Sequence, residues 1–171
     1  MGVGDEMGVK TLKIHCETAA DMEAVAVSAC LCGHKVRYDG GDCWDAALAA
    51  DLAMHTMPTT VLPLCPETLG GLATPRAPAE IVGGDGAAVW EGTAQVLDAH
   101  GQEVTKAFKQ GALLALQRLQ AAGITTVYLK SKSPSCGNGQ IYDGSFSGRL
   151  CVGDGVSTAL FKQHGIIVIA R

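Results

Sequence analysis

The sequence predicts one α/β domain built on a mostly parallel sheet, and three observations carry that prediction. Short apolar runs at residues 24–30, 59–65, 125–130 and 166–169 read as buried strands. Segments with three- and four-residue apolar spacing lie between or beside them, at residues 43–55, 104–122 and 156–163. Strands that alternate with helices in this way pack as a parallel sheet covered by helices. A chain of 171 residues, 47% hydrophobic and 18% charged, is long and apolar enough for one such domain with its own core.

Taken in order, residues 1–23 read as an N-terminal extension, weakly alternating over 9–15, and the domain spans 24–171. The first strand runs into Cys30 and breaks at Gly33 and the turn-rich Arg37-Tyr38-Asp39-Gly40-Gly41. A helix follows over 43–55, with Trp44, Ala47, Leu48, Leu52 and His55 at helical steps. The second strand ends near Pro63, because proline cannot donate to a central ladder. Residues 66–80 form a Gly- and Pro-rich loop, and 79–82, 87–91 and 94–97 read as short strands of a small β-hairpin excursion. A long helix over 104–122 points Phe108, Leu113, Leu116 and Leu119 inward and stops at Gly123. The third strand leads into the tight loop Ser131-Lys132-Ser133-Pro134-Ser135-Cys136-Gly137. A last helix ends at Gly165 and a last strand follows. The whole is a Rossmann-like three-layer sandwich.

Composition excludes several function classes. A net charge of -4 gives no electrostatic reason to hold a nucleic-acid backbone. No run approaches the roughly 18 apolar residues of a membrane span. The polar, mixed-charge start lacks the apolar stretch of a secretory signal. Seven cysteines, an odd number, argue against a fully paired disulfide framework. The expected compartment is the reducing cytoplasm, where free cysteines are buried, catalytic or metal-bound.

Cys30, Cys65 and Cys136 share one context: each lies at or just beyond the carboxyl end of a predicted strand, where a turn begins. Ligand crevices of open α/β sheets lie outside those ends. Parallel strands put all three ends on one edge, so these cysteines can meet. Three thiolates are soft ligands suited to zinc or to iron–sulfur clusters, and three ligands leave a position open for chemistry. Cys16, Cys43 and Cys151 are expected to be small core hydrophobes. The five histidines lack ligand spacing, and Gly70-Gly71 lacks the following lysine of a phosphate loop.

Val27-Ser28-Ala29-Cys30-Leu31 is followed in order by Cys65-Pro66-Glu67, Gly70-Gly71-Leu72 and Thr74-Pro75-Arg76. Val104-Thr105 with Phe108 and Gly111-Ala112, then Leu129-Lys130, Ser133-Pro134-Ser135-Cys136-Gly137 and Ile141-Tyr142-Asp143-Gly144 complete the set. With these motifs the chain resembles the bacterial thiouracil desulfidase family over residues 24–170. The resemblance implies a 4Fe-4S cluster held by Cys30, Cys65 and Cys136, with the fourth iron free to take the sulfur of a thiolated pyrimidine such as 2-thiouracil. It implies a small-molecule substrate, neither nucleic acid nor membrane, and hydrolytic loss of sulfide without net redox change. Glu67 is the candidate to activate water, and Ser133 to orient the substrate as a second catalytic group. Ser135 and Arg76 are the candidate substrate-binding residues. Cys32 stands where the family pattern has leucine; if it reached the cluster it would close the free iron. Two other readings are a zinc hydrolase with a three-thiolate site and a thiol redox sensor that pairs Cys30 with Cys32.

Overall fold

A computed structural model describes residues 23–55 and 59–171. The weak alternation at 9–15 and Cys16 therefore lie outside the described residues. In chain order the elements are β1 (Glu23–Ser28), a 3-10 turn (Ala29–Cys32), α1 (Ala46–Ala53), β2 (Thr59–Leu64), α2 (Pro66–Leu69), β3 (Ala79–Val82), α3 (Gly86–Glu91) and β4 (Gln95–Asp98). Then come α4 (Thr105–Ala121), β5 (Thr126–Leu129), β6 (Gln140–Tyr142), β7 (Leu150–Val152), α5 (Val156–Gln163) and β8 (Ile167–Ala170).

The central sheet has four parallel strands in the order β2-β1-β5-β8. Side chains of a strand alternate between its faces, and β1 shows both faces covered. Val25 and Val27 pack with Leu48 of α1 and Leu31, whereas Ala26 joins Val127, Leu129, Phe108, Leu119 and Phe161 under α4 and α5. Burial on both faces is why the strand reads as an unbroken apolar run rather than an alternation. The predicted α/β sandwich is thus the fold observed.

Several local expectations change. Pro63 lies inside β2, opposite Val27, instead of ending it. The strand is at the sheet edge, with only β1 beside it, where a residue without an N–H is tolerated. Residues 87–91 are not a strand but part of helix α3. Asp85 caps it by accepting the Ala88 N–H at 3.1 Å, and Gly92, at φ 81°, closes it in the left-handed region. Strands β3 and β4 then pair antiparallel around this helix. Residues 66–69, expected in a loop, form the short helix α2, and β6 and β7 pair as an antiparallel hairpin. Leu113, expected inward, is 45% exposed, and the small residues Gly111, Ala112 and Ala115 face the core instead.

Those small residues matter for the site. A Cβ added at Gly111 would collide with the Pro66 carbonyl, and one added at Gly70 would collide with the Ala107 carbonyl. Bare backbone on both sides therefore lets α2 lie directly on α4.

Candidate metal centre

The carboxyl ends of β1, β2 and β5 open onto a cavity of about 400 Å³. Ser28 pairs in register with Leu64, so Cys30 and Cys65 leave neighbouring strands at nearly the same level. Strands so paired lie about 4.8 Å apart. Cys30 sits in the 3-10 turn that Gly33 closes at φ 86°. Cys65 precedes α2, and its carbonyl accepts the Leu69 N–H at 3.0 Å and the Thr68 hydroxyl at 3.1 Å. The end of β5 is tied to β1 by the Lys130 N–H, which donates to Ser28 Oγ at 2.9 Å.

Cys136 arrives from the loop after β5. Ser133 Oγ accepts the N–H groups of Ser135 and Cys136, both at 3.1 Å, and so fixes the turn. The Thr158 hydroxyl donates to the Cys136 carbonyl at 2.9 Å, and the Ser157 N–H donates to the Ser135 carbonyl at 2.9 Å. The loop is thus pinned to the start of α5.

Cys30, Cys65, Cys136, Glu67, Arg76 and Ser133 all line this cavity. Ser135 does not: its hydroxyl turns into the core, 3.0 Å from Ser157 Oγ, and the residue is 1% exposed. Its side chain also hydrogen-bonds to the Cys136 thiol, so it stands behind a residue of the cavity rather than in the lining itself. Cys32 is absent from the lining and packs against the cluster of Val25, Val27, Cys30, Leu31 and Leu48.

Burial raises the Cys30 thiol to about 11, the nearby Cys43 and Cys65 thiols add to this, and the Lys130 ammonium opposes it. The Cys136 thiol is also pushed up, first by burial and then by Cys65, Glu67 and Cys30. Like charges act this way only at short range, so the three cysteines and Glu67 form one electrostatic group. Yet among the described residues no three His, Cys, Asp or Glu side chains gather around one point as a single-ion site requires. Zinc would draw three sulfurs to about 2.3 Å from one centre. A cluster binds each cysteine through a different iron, so its ligands stand further apart. Three cysteines around one cavity are the kind of soft donor set that an iron–sulfur cluster takes.

Glu67, in the first turn of α2, meets Arg76 at 2.8 Å through Nε and 2.5 Å through Nη2. Both bonds end on Oε2. Arg76, expected to bind substrate, also donates to the carbonyls of Val36 and Ala73 and to Thr74 Oγ1. A guanidinium has five N–H donors, and all five are used within the chain. The sequence reading missed Arg37 and Cys43. Arg37 lines the cavity, pairs with Asp39 at 3.0 Å and donates to Cys43 Sγ at 2.6 Å. Cys43, expected in the core, is half-buried and close enough to Cys30 to raise its thiol. Its backbone N–H donates to the Cys30 carbonyl at 2.9 Å, a contact that no spacing rule announces.

Fold and site together define a parallel α/β protein with a thiol-lined cavity at the strand ends, suited to metal-assisted chemistry on a small ligand. The match to the 2-thiouracil desulfurase family covers residues 25–171, and the chain belongs to that family. It is 42% identical over 147 residues to the uncharacterized protein YbbK of Bacillus subtilis (strain 168), covering 86% of this chain and 95% of that protein. Among solved structures it is similar to the [4Fe-4S]-dependent thiouracil desulfidase TudS, at 42% identity and a TM-score of 0.72. That similarity covers 87% of this chain and 91% of TudS.

Proposed function

We propose that this protein is a 4Fe-4S-dependent desulfidase that converts thiolated pyrimidines such as 2-thiouracil into uracil and hydrogen sulfide. Family membership and the TudS likeness support the reaction and the cofactor. The observation that carries the site is the placement of three mutually interacting thiols around one cavity at the strand ends. Cys30, Cys65 and Cys136 are the proposed ligands. A cluster held by these three cysteines would supply a Lewis acid to polarise the carbon–sulfur bond.

The chain's own groups do the rest. Glu67 keeps Oε1 free of protein hydrogen bonds, and that oxygen is not sealed from solvent. It takes a proton from the water that attacks the ring carbon. Ser133 Oγ already accepts two backbone N–H groups, so its hydroxyl hydrogen is left to donate to the substrate. Water adds its oxygen to the ring carbon, sulfur leaves as hydrogen sulfide, and no electron is gained or lost. A zinc hydrolase finds no single-ion donor set among the described residues. A Cys30–Cys32 redox pair finds only one of its cysteines at the cavity. The substrate is a free small molecule rather than a nucleic acid, since the chain is acidic overall. No described helix is long and apolar enough to cross a membrane; the reduced thiols suit the cytoplasm.

Reconstitution without oxygen should give brown protein with about four irons per chain, the stoichiometry of a cysteine-held cubane. The loaded protein should release sulfide from 2-thiouracil. Cys136→Ala should lose most of its iron, and full loading of that variant would remove Cys136 from the ligand set.

A further inference from the structure

Arg76 is the most heavily engaged side chain at the cavity, and none of its donors reaches into it. Its side chain and that of Glu67 are 11% and 16% exposed. Two of the five guanidinium hydrogens hold Glu67 Oε2, leaving Oε1 as the only carboxylate oxygen that can act. Nη1 anchors Arg76 to its own loop through Ala73 and Thr74. Nη2 also reaches the Val36 carbonyl at 3.1 Å, and the Arg76 N–H donates to the Tyr38 carbonyl at 2.8 Å. Val36 and Tyr38 line the same cavity. One side chain therefore joins the loop after Leu72, the carboxylate on α2 and the wall that follows the 3-10 turn.

We propose that Arg76 is a positioning residue, which fixes the Glu67 carboxylate with one oxygen turned to the cavity. A planar fork can make these contacts together, and an ammonium group cannot. The inference rests on the desulfidase reading for its kinetic test. It differs from a substrate-binding role in what it predicts. A group that binds substrate changes KM; a group that aims a base changes kcat, because small misplacements of a reacting group are costly.

The test measures iron content, kcat and KM for sulfide release from 2-thiouracil in Arg76→Lys, Glu67→Gln and the double variant. Arg76→Lys should keep the wild-type iron content and KM within about twofold, and lose roughly 10- to 100-fold in kcat. In the Glu67→Gln background the same change should cost no further kcat, because nothing is left to aim. An equal loss in both backgrounds would overturn the proposal, as would a change confined to KM. Loss of iron in step with activity would make Arg76 a structural brace and also overturn it. A fully active Glu67→Gln would leave no base to position and sink it as well. Absence of sulfide release from iron-loaded wild type would instead defeat the desulfidase reading. In that case the metal-free double-mutant cycle in unfolding free energy still reads the Arg76–Glu67 coupling, and no coupling there would overturn the strut.

Discussion

Cys30 is buried among other thiols, and its proton is held to about 11 against an ordinary 9.0. In the metal-free folded chain the thiol stays neutral to about that pH, while the unfolded chain releases the proton nearer 9. The unfolded state therefore gains from each step of rising pH between those values. Stability of the reduced, metal-free protein should be fully present below pH 9 and fall through pH 11, by up to about 3 kcal/mol from this group. Denaturant titrations at pH 8 and pH 11, compared with Cys30→Ala, isolate the effect from other groups that titrate there. An identical pH slope in Cys30→Ala would refute it. Single residues also show where sequence reading stops. Ser133 and Ser135 flank Pro134 symmetrically on paper, but the turn leaves Ser133 in the cavity lining and buries Ser135 against Ser157. Adjacency in a motif does not fix side-chain direction in a tight loop.

At the scale of elements, the contact of α2 with α4 decides where Cys65 and Glu67 stand. The sequence shows Gly111 inside an amphipathic helix, where glycine costs about 1 kcal/mol against alanine. The structure gives the reason, since any Cβ there strikes the Pro66 carbonyl. Gly111→Ala should thus destabilise the protein by about 1–3 kcal/mol despite its better helix propensity. It should also cut kcat more than the loss of folded protein explains, because α2 must move. Thermal unfolding and kinetics on the same samples check this; a stabilised, fully active Gly111→Ala would show that the contact is loose. Long periodic elements such as α4 and α5 were legible to within a residue or so, because burial of one face dictates their spacing. Residues 87–91 were not. Ala-Ala-Val-Trp-Glu carries an apolar run that suits either state, and only the caps at Asp85 and Gly92 decide for the helix.

Across the whole molecule, the placement of Cys30, Cys65 and Cys136 around one cavity was legible because a parallel sheet places all its carboxyl ends on one edge. Supporting contacts such as Arg37–Cys43 and Ser135–Ser157 were not, since they depend on loop paths that carry no periodic signal. The same architecture has a consequence for stability. The proposed ligands come from the ends of three different strands, 35 and 71 residues apart in sequence. A group that binds all three links segments which the folded chain otherwise joins through few bonds, such as Lys130 N–H to Ser28 Oγ and Arg76 to Val36. Binding that requires the folded arrangement stabilises that arrangement. Chelation of the iron should therefore lower the unfolding temperature, by roughly 2–4 °C for each kcal/mol of binding lost in a chain of this size. The loss should be uneven. Amide exchange should rise in residues 29–38, 64–76 and 130–137, while the second half of α4, whose Ala115, Leu116 and Leu119 are buried in the main core, should stay protected. Uniform exchange along the chain, or none above that of the loaded protein, would mean that these three segments are held by the fold alone and that the cluster lies elsewhere.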